Sequence, residues 1–264
     1  MENLPLLIII GTIAGIMSGM FGIGGGAIIV PSLMLFLGFS QKFANGTSLA
    51  ALLLPVGIFA CIDYYRNRKL HLGPAGAVAI GLTAATWFGA SFAIGMDPVT
   101  LQQAYGVLLV YMAWRYVSPR KWFAEFRGKE EVKVVEDANV DSTSPRVLLI
   151  SLAIGLVAGI MSGLFGIGGG VVIVPALMAF AAFDQKLATG TSLGALLLPV
   201  GLPGVLRYSQ DGMVDLGVAA PLAVMLMLGA IIGARVTLSL PTKTVRRLYG
   251  FFLLFVGLRF LLAA

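Results

Sequence analysis

The sequence predicts an all-α polytopic membrane protein of two inverted-topology repeats, each with about five helical segments, some broken or re-entrant. Three observations predict it. Hydrophobic residues make up 58% of the 264-residue chain and charged residues 11%, with a mean hydropathy of +0.95, whereas soluble domains carry about a quarter charged residues. Ala14 to Gly57 recurs as Ala158 to Gly201 at an offset of 144, without gaps and with 33 of 44 positions identical. Equivalent loops of the two copies carry opposite patterns of basic residues.

A bilayer crossing needs roughly 20 apolar residues. The first half offers apolar segments near 4–21, 27–39, 47–62, 72–95 and 99–117; the second repeats them near 147–165, 171–183, 191–206, 216–240 and 245–262. The second segment of each half is short and follows a glycine run, so it is expected to be tilted, broken or re-entrant. The start, MENLPLLIII, has no basic region or small-residue cleavage site, so a cleaved signal peptide is not expected.

The loop before the fourth segment holds Arg66, Arg68 and Lys69; its counterpart, Gln210 to Met213, has no base and includes Asp211. The next loop reverses this, with no base from Asp97 to Leu101 but Lys243, Arg246 and Arg247 in the second half. By the positive-inside rule, the halves are inserted upside down relative to each other. That requires an odd number of crossings per half: five, or three with re-entrant hairpins. Between repeats 1–117 and 147–264, the linker 118–146 has six basic and six acidic residues. Its Arg120, Lys121, Arg127 and Lys129 place it in the cytoplasm and both termini outside.

Two sets of residues are candidates for chemistry. Gly24, Gly25 and Gly26, with Gly168, Gly169 and Gly170, sit in FGIGGG runs between apolar segments. A dinucleotide loop is rejected, because it needs a flanking strand and an acidic residue about 20 positions on. Three glycines within lipid leave backbone groups unsatisfied unless protein or a polar cavity surrounds them, which favours an unwound break whose amides face a ligand. The ridges Gly11, Gly15, Gly19 and Gly155, Gly159, Gly163 recur every four residues, the spacing of close helix packing. The second set is Asn45, Gly46, Thr47 and Ser48, with Thr189, Gly190, Thr191 and Ser192. Asn45 and Thr189 read as N-caps, whose helix ends would present free amides and a positive dipole to an anion; simple capping is the alternative.

Lys42 and Lys186 are repeat mates, three residues before those caps; they serve either as ligands or as snorkelling side chains. Arg235, Arg115 and Arg259 read as snorkelling. Pro55 and Pro199 interrupt LLLPVG and kink the helix or form a hinge. No acid lies centrally in an apolar segment, Asp184 being the nearest, and His71 is the only histidine. Bases and hydroxyls without acids favour an anionic substrate. With the single Cys61, no disulfide, metal cluster or cofactor site is expected. The net charge of +6 has no basic domain to serve, so nucleic acid binding is not expected.

The paired GxFGIGGGxxxVP and GTSL elements, Gly19 to Pro31 with Gly46 to Leu49 and Gly163 to Pro175 with Gly190 to Leu193, followed by LLLPVG, resemble the TauE/SafE family of sulfite exporters and related permeases. The resemblance covers both halves outside the linker. It implies a bacterial inner-membrane carrier for sulfite, organosulfonates such as sulfoacetate, or other small anions. The chain departs from the related thiosulfate importers, which rely on cysteines, because Cys61 stands alone. The expectation is a non-enzymatic secondary transporter, an exporter, with a central anion site and alternating access; an anion channel or a membrane scaffold are the alternatives. The expected partners are a small anion and the bilayer, with the oligomeric state open.

Overall fold

The computed structural model describes residues 3–117, 144–239 and 242–262. These form twelve helices and no strand. The first half contains α1 (Leu4–Phe21), α2 (Gly26–Leu37), α3 (Gln41–Ala51), α4 (Ile58–Arg66), α5 (Leu72–Gly95) and α6 (Pro98–Val117). The second contains α7 (Pro145–Phe165), α8 (Gly170–Phe180), α9 (Gln185–Ala195), α10 (Leu202–Gln210), α11 (Leu216–Ser239) and α12 (Thr242–Leu262). The linker bases Arg120, Lys121, Arg127 and Lys129 lie outside the described residues. Four helices, α1, α5, α7 and α11, are long and apolar enough to cross a membrane. Large apolar side chains such as Phe88, Phe92, Trp114, Phe180 and Phe255 are exposed, as they are on a multi-pass protein whose outer surface meets lipid tails.

The third segment of each half differs from the sequence expectation. Instead of one helix over 47–62, α3 begins at Gln41 and ends at Ala51, and α4 begins at Ile58. The break surrounds Pro55, whose ring removes an amide donor and clashes with the preceding turn. α9 and α10 are parted in the same way around Pro199. Lys243, Arg246 and Arg247, read as loop residues, fall in the first turns of α12; both residue types are good helix formers.

The halves are interleaved. Gly11, Gly15 and Gly19 of α1 press on Leu222, Leu226 and Ala230 of α11, and Gly155, Gly159 and Gly163 of α7 press on Val78, Leu82 and Thr86 of α5. Residue numbers rise together on both members, so each pair runs parallel. A methyl group at Gly19 or Gly163 would strike the partner's backbone carbonyl, so only glycine permits this approach. The ridges are therefore packing surfaces. The mates α6 and α12 instead cross antiparallel, with Gly106 against Leu261 and Gly257 against Val110, and Tyr105 edge-on to Phe260 at 5.3 Å.

Between α1 and α2 the chain turns back on itself. Gly22, Gly24 and Gly25 adopt φ of +70°, +76° and +86°, as do their mates Gly166, Gly168 and Gly169 at +68°, +71° and +82°. L-residues with side chains avoid this region. A Cβ on Gly25 would sit 3.3 Å from Ala14 O, two turns back along α1. Each half thus contains a hairpin, α1–α2 or α7–α8, with a glycine tip.

Candidate functional site

The two hairpin tips meet. A Cβ on Gly26 would strike Gly166 O and Ile167, and one on Gly170 would strike Gly22 O and Ile23. Among the described residues, the amides of Ile23, Gly24 and Gly25 enter no backbone hydrogen bond, nor do those of Ile167, Gly168 and Gly169. The glycine runs are therefore unwound, as their composition predicts.

The polar set on α3 and α9 holds these tips. Asn45 and Thr189 do not cap helix starts. Ser40 caps α3 by accepting from Phe43 N, and Asp184 caps α9 by accepting from Leu187 N. Both helices therefore begin at their glutamines, and Gly46, Thr47, Ser48, Gly190, Thr191 and Ser192 are helix-interior residues. The reason is local: Ser40 and Asp184 follow directly on the turns that end α2 and α8, and offer a cap one turn earlier.

The hydroxyls then bond across the halves. Ser48 Oγ donates to Gly166 O at 2.8 Å, and Ser192 Oγ donates to Gly22 O at 2.7 Å. Thr47 Oγ1 accepts from Asp215 N, and Thr191 Oγ1 accepts from His71 N. Asn45 Nδ2 donates to Leu164 O at 2.7 Å, behind the second tip. Tyr64 OH donates to Gly19 O and Tyr208 OH to Gly163 O, bracing the last turns of α1 and α7. Gly46 and Gly190 let the loop carbonyls of Met213 and Lys69 seat against the helices. Each bond has a counterpart displaced by 144 at both ends, except that of Asn45, whose mate is a threonine.

Between the tips lies a cavity lined by Ser18, Gly24, Leu49, Leu52, Val56 and Gly57 and by their six mates, Ser162, Gly168, Leu193, Leu196, Val200 and Gly201. Each residue type is identical in its mate, and the cavity sits on the pseudo-two-fold axis. It holds about 10 Å³ of free space, room for about one water. Four helix N-termini border it. Gly24 and Gly168 precede α2 and α8, and Gly57 and Gly201 precede α4 and α10. Each carries roughly half a positive charge from its aligned peptides. Ser162 Oγ is buried there without a partner. The lining has no charged side chain.

Of the residues expected from the sequence, two are among the twelve that line this cavity. Gly24 and Gly168 line it, and the neighbouring glycines shape the tips. Asn45, Thr47, Ser48 and their mates stand behind it. Lys42 Nζ donates to Ile94 O at 2.7 Å and Lys186 Nζ to Leu238 O at 3.3 Å, at the ends of α5 and α11; both lie outside the lining. Ser18, Leu49, Leu52, Val56 and Gly57 were not anticipated. Their signal is identity between the copies, which the apolar character of most of them hides.

Among the described side chains, which do not include Arg115, the remaining charges lie outside the lining. Asp184 Oδ2 pairs with Lys69 Nζ at 3.1 Å, Arg207 with Asp211 at 2.8 Å, and the exposed Arg235 with Asp63 at 3.6 Å. Arg259 is also exposed. His71 opens α5 with its ring 5.8 Å from that of Phe183. Burial holds its imidazole below the ordinary histidine range, against the opposing pull of Asp184.

Comparison with known proteins finds membrane transporters. The family model described as "Sulfite exporter TauE/SafE" matches residues 7–260. A "Probable membrane transporter protein" of Methanocaldococcus jannaschii is 28% identical, over 98% of this chain and 96% of that one. "Probable membrane transporter protein YunE" of Bacillus subtilis is 27% identical, over 96% and 95%. A "Probable membrane transporter protein" of Haemophilus influenzae is 26% identical, over 97% of each. No solved structure matches the chain.

Proposed function

Because the chain belongs to the TauE/SafE sulfite exporter family and is a membrane transporter, we propose that it exports small sulfur-containing or organic anions, such as sulfite or sulfoacetate, by alternating access between two inverted repeats. The observation that carries this reading is the narrow cavity, lined by six residues of one repeat and their six mates in the other, on the pseudo-two-fold axis. Six unpaired amides stand at the glycine tips beside it, four helix N-termini border it, and the hydroxyls of Ser18 and Ser162 line it. Amides at helix N-termini solvate anions without a fixed positive charge. Binding of that kind is reversible, as transport needs.

In this reading the cavity is the occluded state. Substrate widens it by parting the tips, which are held by single hydroxyl–carbonyl bonds from the opposite half. The breaks at Pro55 and Pro199 let α3 and α4, or α9 and α10, tilt separately. The antiparallel crossing of the mates α6 and α12 supports an axis perpendicular to those helices, which is the arrangement of inverted repeats. Repeats 1–117 and 147–264 then share a cytoplasmic linker, 118–146, in a bacterial inner membrane, with both termini outside. Asn45, Gly46, Thr47, Ser48 and their mates Thr189, Gly190, Thr191, Ser192 position the tips.

Sulfite counterflow into proteoliposomes, with sulfoacetate, sulfate and acetate as competitors, tests the proposal. Saturable exchange, lost in the Ser18→Ala/Ser162→Ala double variant, is expected. Non-saturating conductance would replace the carrier by a channel, and folded protein that moves none of these anions would overturn the reading.

A further inference from the structure

Outside the cavity lining, a second pair of repeat mates stands out. Gln41 and Gln185 are 3% and 6% exposed, and in both side chains the amide nitrogen and the amide oxygen lack a hydrogen-bond partner. Each is the first residue of its helix, α3 or α9. A buried primary amide with every valence open is costly, and native proteins fill such groups with water or ligand. That this happens twice, at equivalent positions, argues against accident.

The groups along the same helix face extend the pattern. Asn45 lies one turn beyond Gln41 and its Oδ1 is unpartnered; Thr189 lies one turn beyond Gln185 and its Oγ1 is unpartnered. One more turn reaches Leu49 and Leu193, which line the cavity. At 1.5 Å per residue, Gln41 to Leu49 spans about 12 Å. Each helix therefore presents open polar groups stepping from its start to the central cavity. The starts lie at opposite places in the fold: Lys42, next to Gln41, bonds the end of α5, and Lys186, next to Gln185, bonds the end of α11. The loop carrying the base Lys69 covers Gly190, while the base-free loop at Met213 covers Gly46.

We infer that Gln41 and Gln185 are the solvating groups of two half-pathways, one from each membrane face, through which water and a small oxyanion reach the central cavity along α3 and α9. The side chain suits the task. Its NH₂ donates to an oxyanion and its carbonyl accepts from water, and being neutral it does not trap the ion. The inference rests on the transport reading above, with α3 serving the outer face and α9 the cytoplasmic face.

The single cysteine makes the test direct. In a Cys61→Ser background, Gln41→Cys and Gln185→Cys are treated with a membrane-impermeant thiol reagent from one side of sealed vesicles at a time. Gln41→Cys is expected to react from outside and Gln185→Cys from inside. Gln41→Leu and Gln185→Leu, which remove groups that the fold leaves unpaired, are expected to keep wild-type thermal stability or gain on it while anion flux falls about tenfold or more. Cysteines inert from both sides, or both reactive from the same side, would overturn the inference. So would folded leucine variants with wild-type flux. The labelling pattern needs no transported substrate, so it decides the half-pathways even if the anion is misassigned.

Discussion

Four buried serines give one chemical change with two opposite outcomes. Ser48 and Ser192 are fully buried and donate to the carbonyls of Gly166 and Gly22, which lie in unwound tips. Ser18 and Ser162, 1% and 0% exposed, line the cavity. Hydrogen bonds between membrane helices average about 0.6 kcal/mol and reach about 1.7 kcal/mol. A carbonyl stranded in a buried break belongs at the upper end, so Ser48→Ala with Ser192→Ala should cost roughly 2–3 kcal/mol. Ser18→Ala with Ser162→Ala removes no bond in the closed structure and should change stability by less than about 0.5 kcal/mol. Each cavity hydroxyl that donates to an anion is worth about 1.5–3 kcal/mol, so the double variant, which removes two, should lose roughly 100- to 10,000-fold in apparent affinity. Thermal melting in detergent and counterflow in proteoliposomes read the two quantities separately. If Ser18→Ala/Ser162→Ala destabilises the protein and leaves exchange unaffected, while Ser48→Ala/Ser192→Ala does the reverse, the division between tip-holding and cavity-lining residues is wrong.

Other perturbations follow from the same geometry. Gly26→Ala places a methyl against Gly166 O and Ile167 Cα, both backbone, and should cost about 1–3 kcal/mol, seen as lower melting temperature and poorer monodispersity. Asp184 both caps α9 and pairs with Lys69; since the serine at the equivalent position 40 caps α3, Asp184→Ser should retain most of the stability that Asp184→Ala loses, a difference of about 1 kcal/mol in melting experiments. His71 has its pKa lowered by burial, so the unfolded chain binds its proton first. The corresponding stability is present above the ordinary value of about 6.5 and is lost as pH falls through the lowered one. Melting temperature should decline on acidification below pH 6.5, with a shallower decline in His71→Asn.

The sequence alone determined the repeat, the helical class, the membrane setting and the glycine breaks, because each is written in composition or in local spacing. The ridges at Gly11–Gly19 and Gly155–Gly163 were legible as packing surfaces for the same reason: their four-residue period needs no knowledge of the partner. The helix starts at Gln41 and Gln185 are hidden in the sequence, where a polar cluster before an apolar run looks like a cap. Ser40 and Asp184, one turn earlier, carried the competing signal. What only the tertiary structure decided is which polar groups are spent within the fold. Ser48 and Ser192 look like ligand donors until Gly166 and Gly22 arrive from the other half, 118 and 170 residues away in the chain. Lys42 and Lys186, candidate anion ligands on the sequence, donate hydrogen bonds to carbonyls at the ends of α5 and α11. Ser18, Val56 and Gly57 look like ordinary helix residues until the pseudo-two-fold axis sets them beside their mates. Hydrogen-bond satisfaction is settled by contacts remote in sequence.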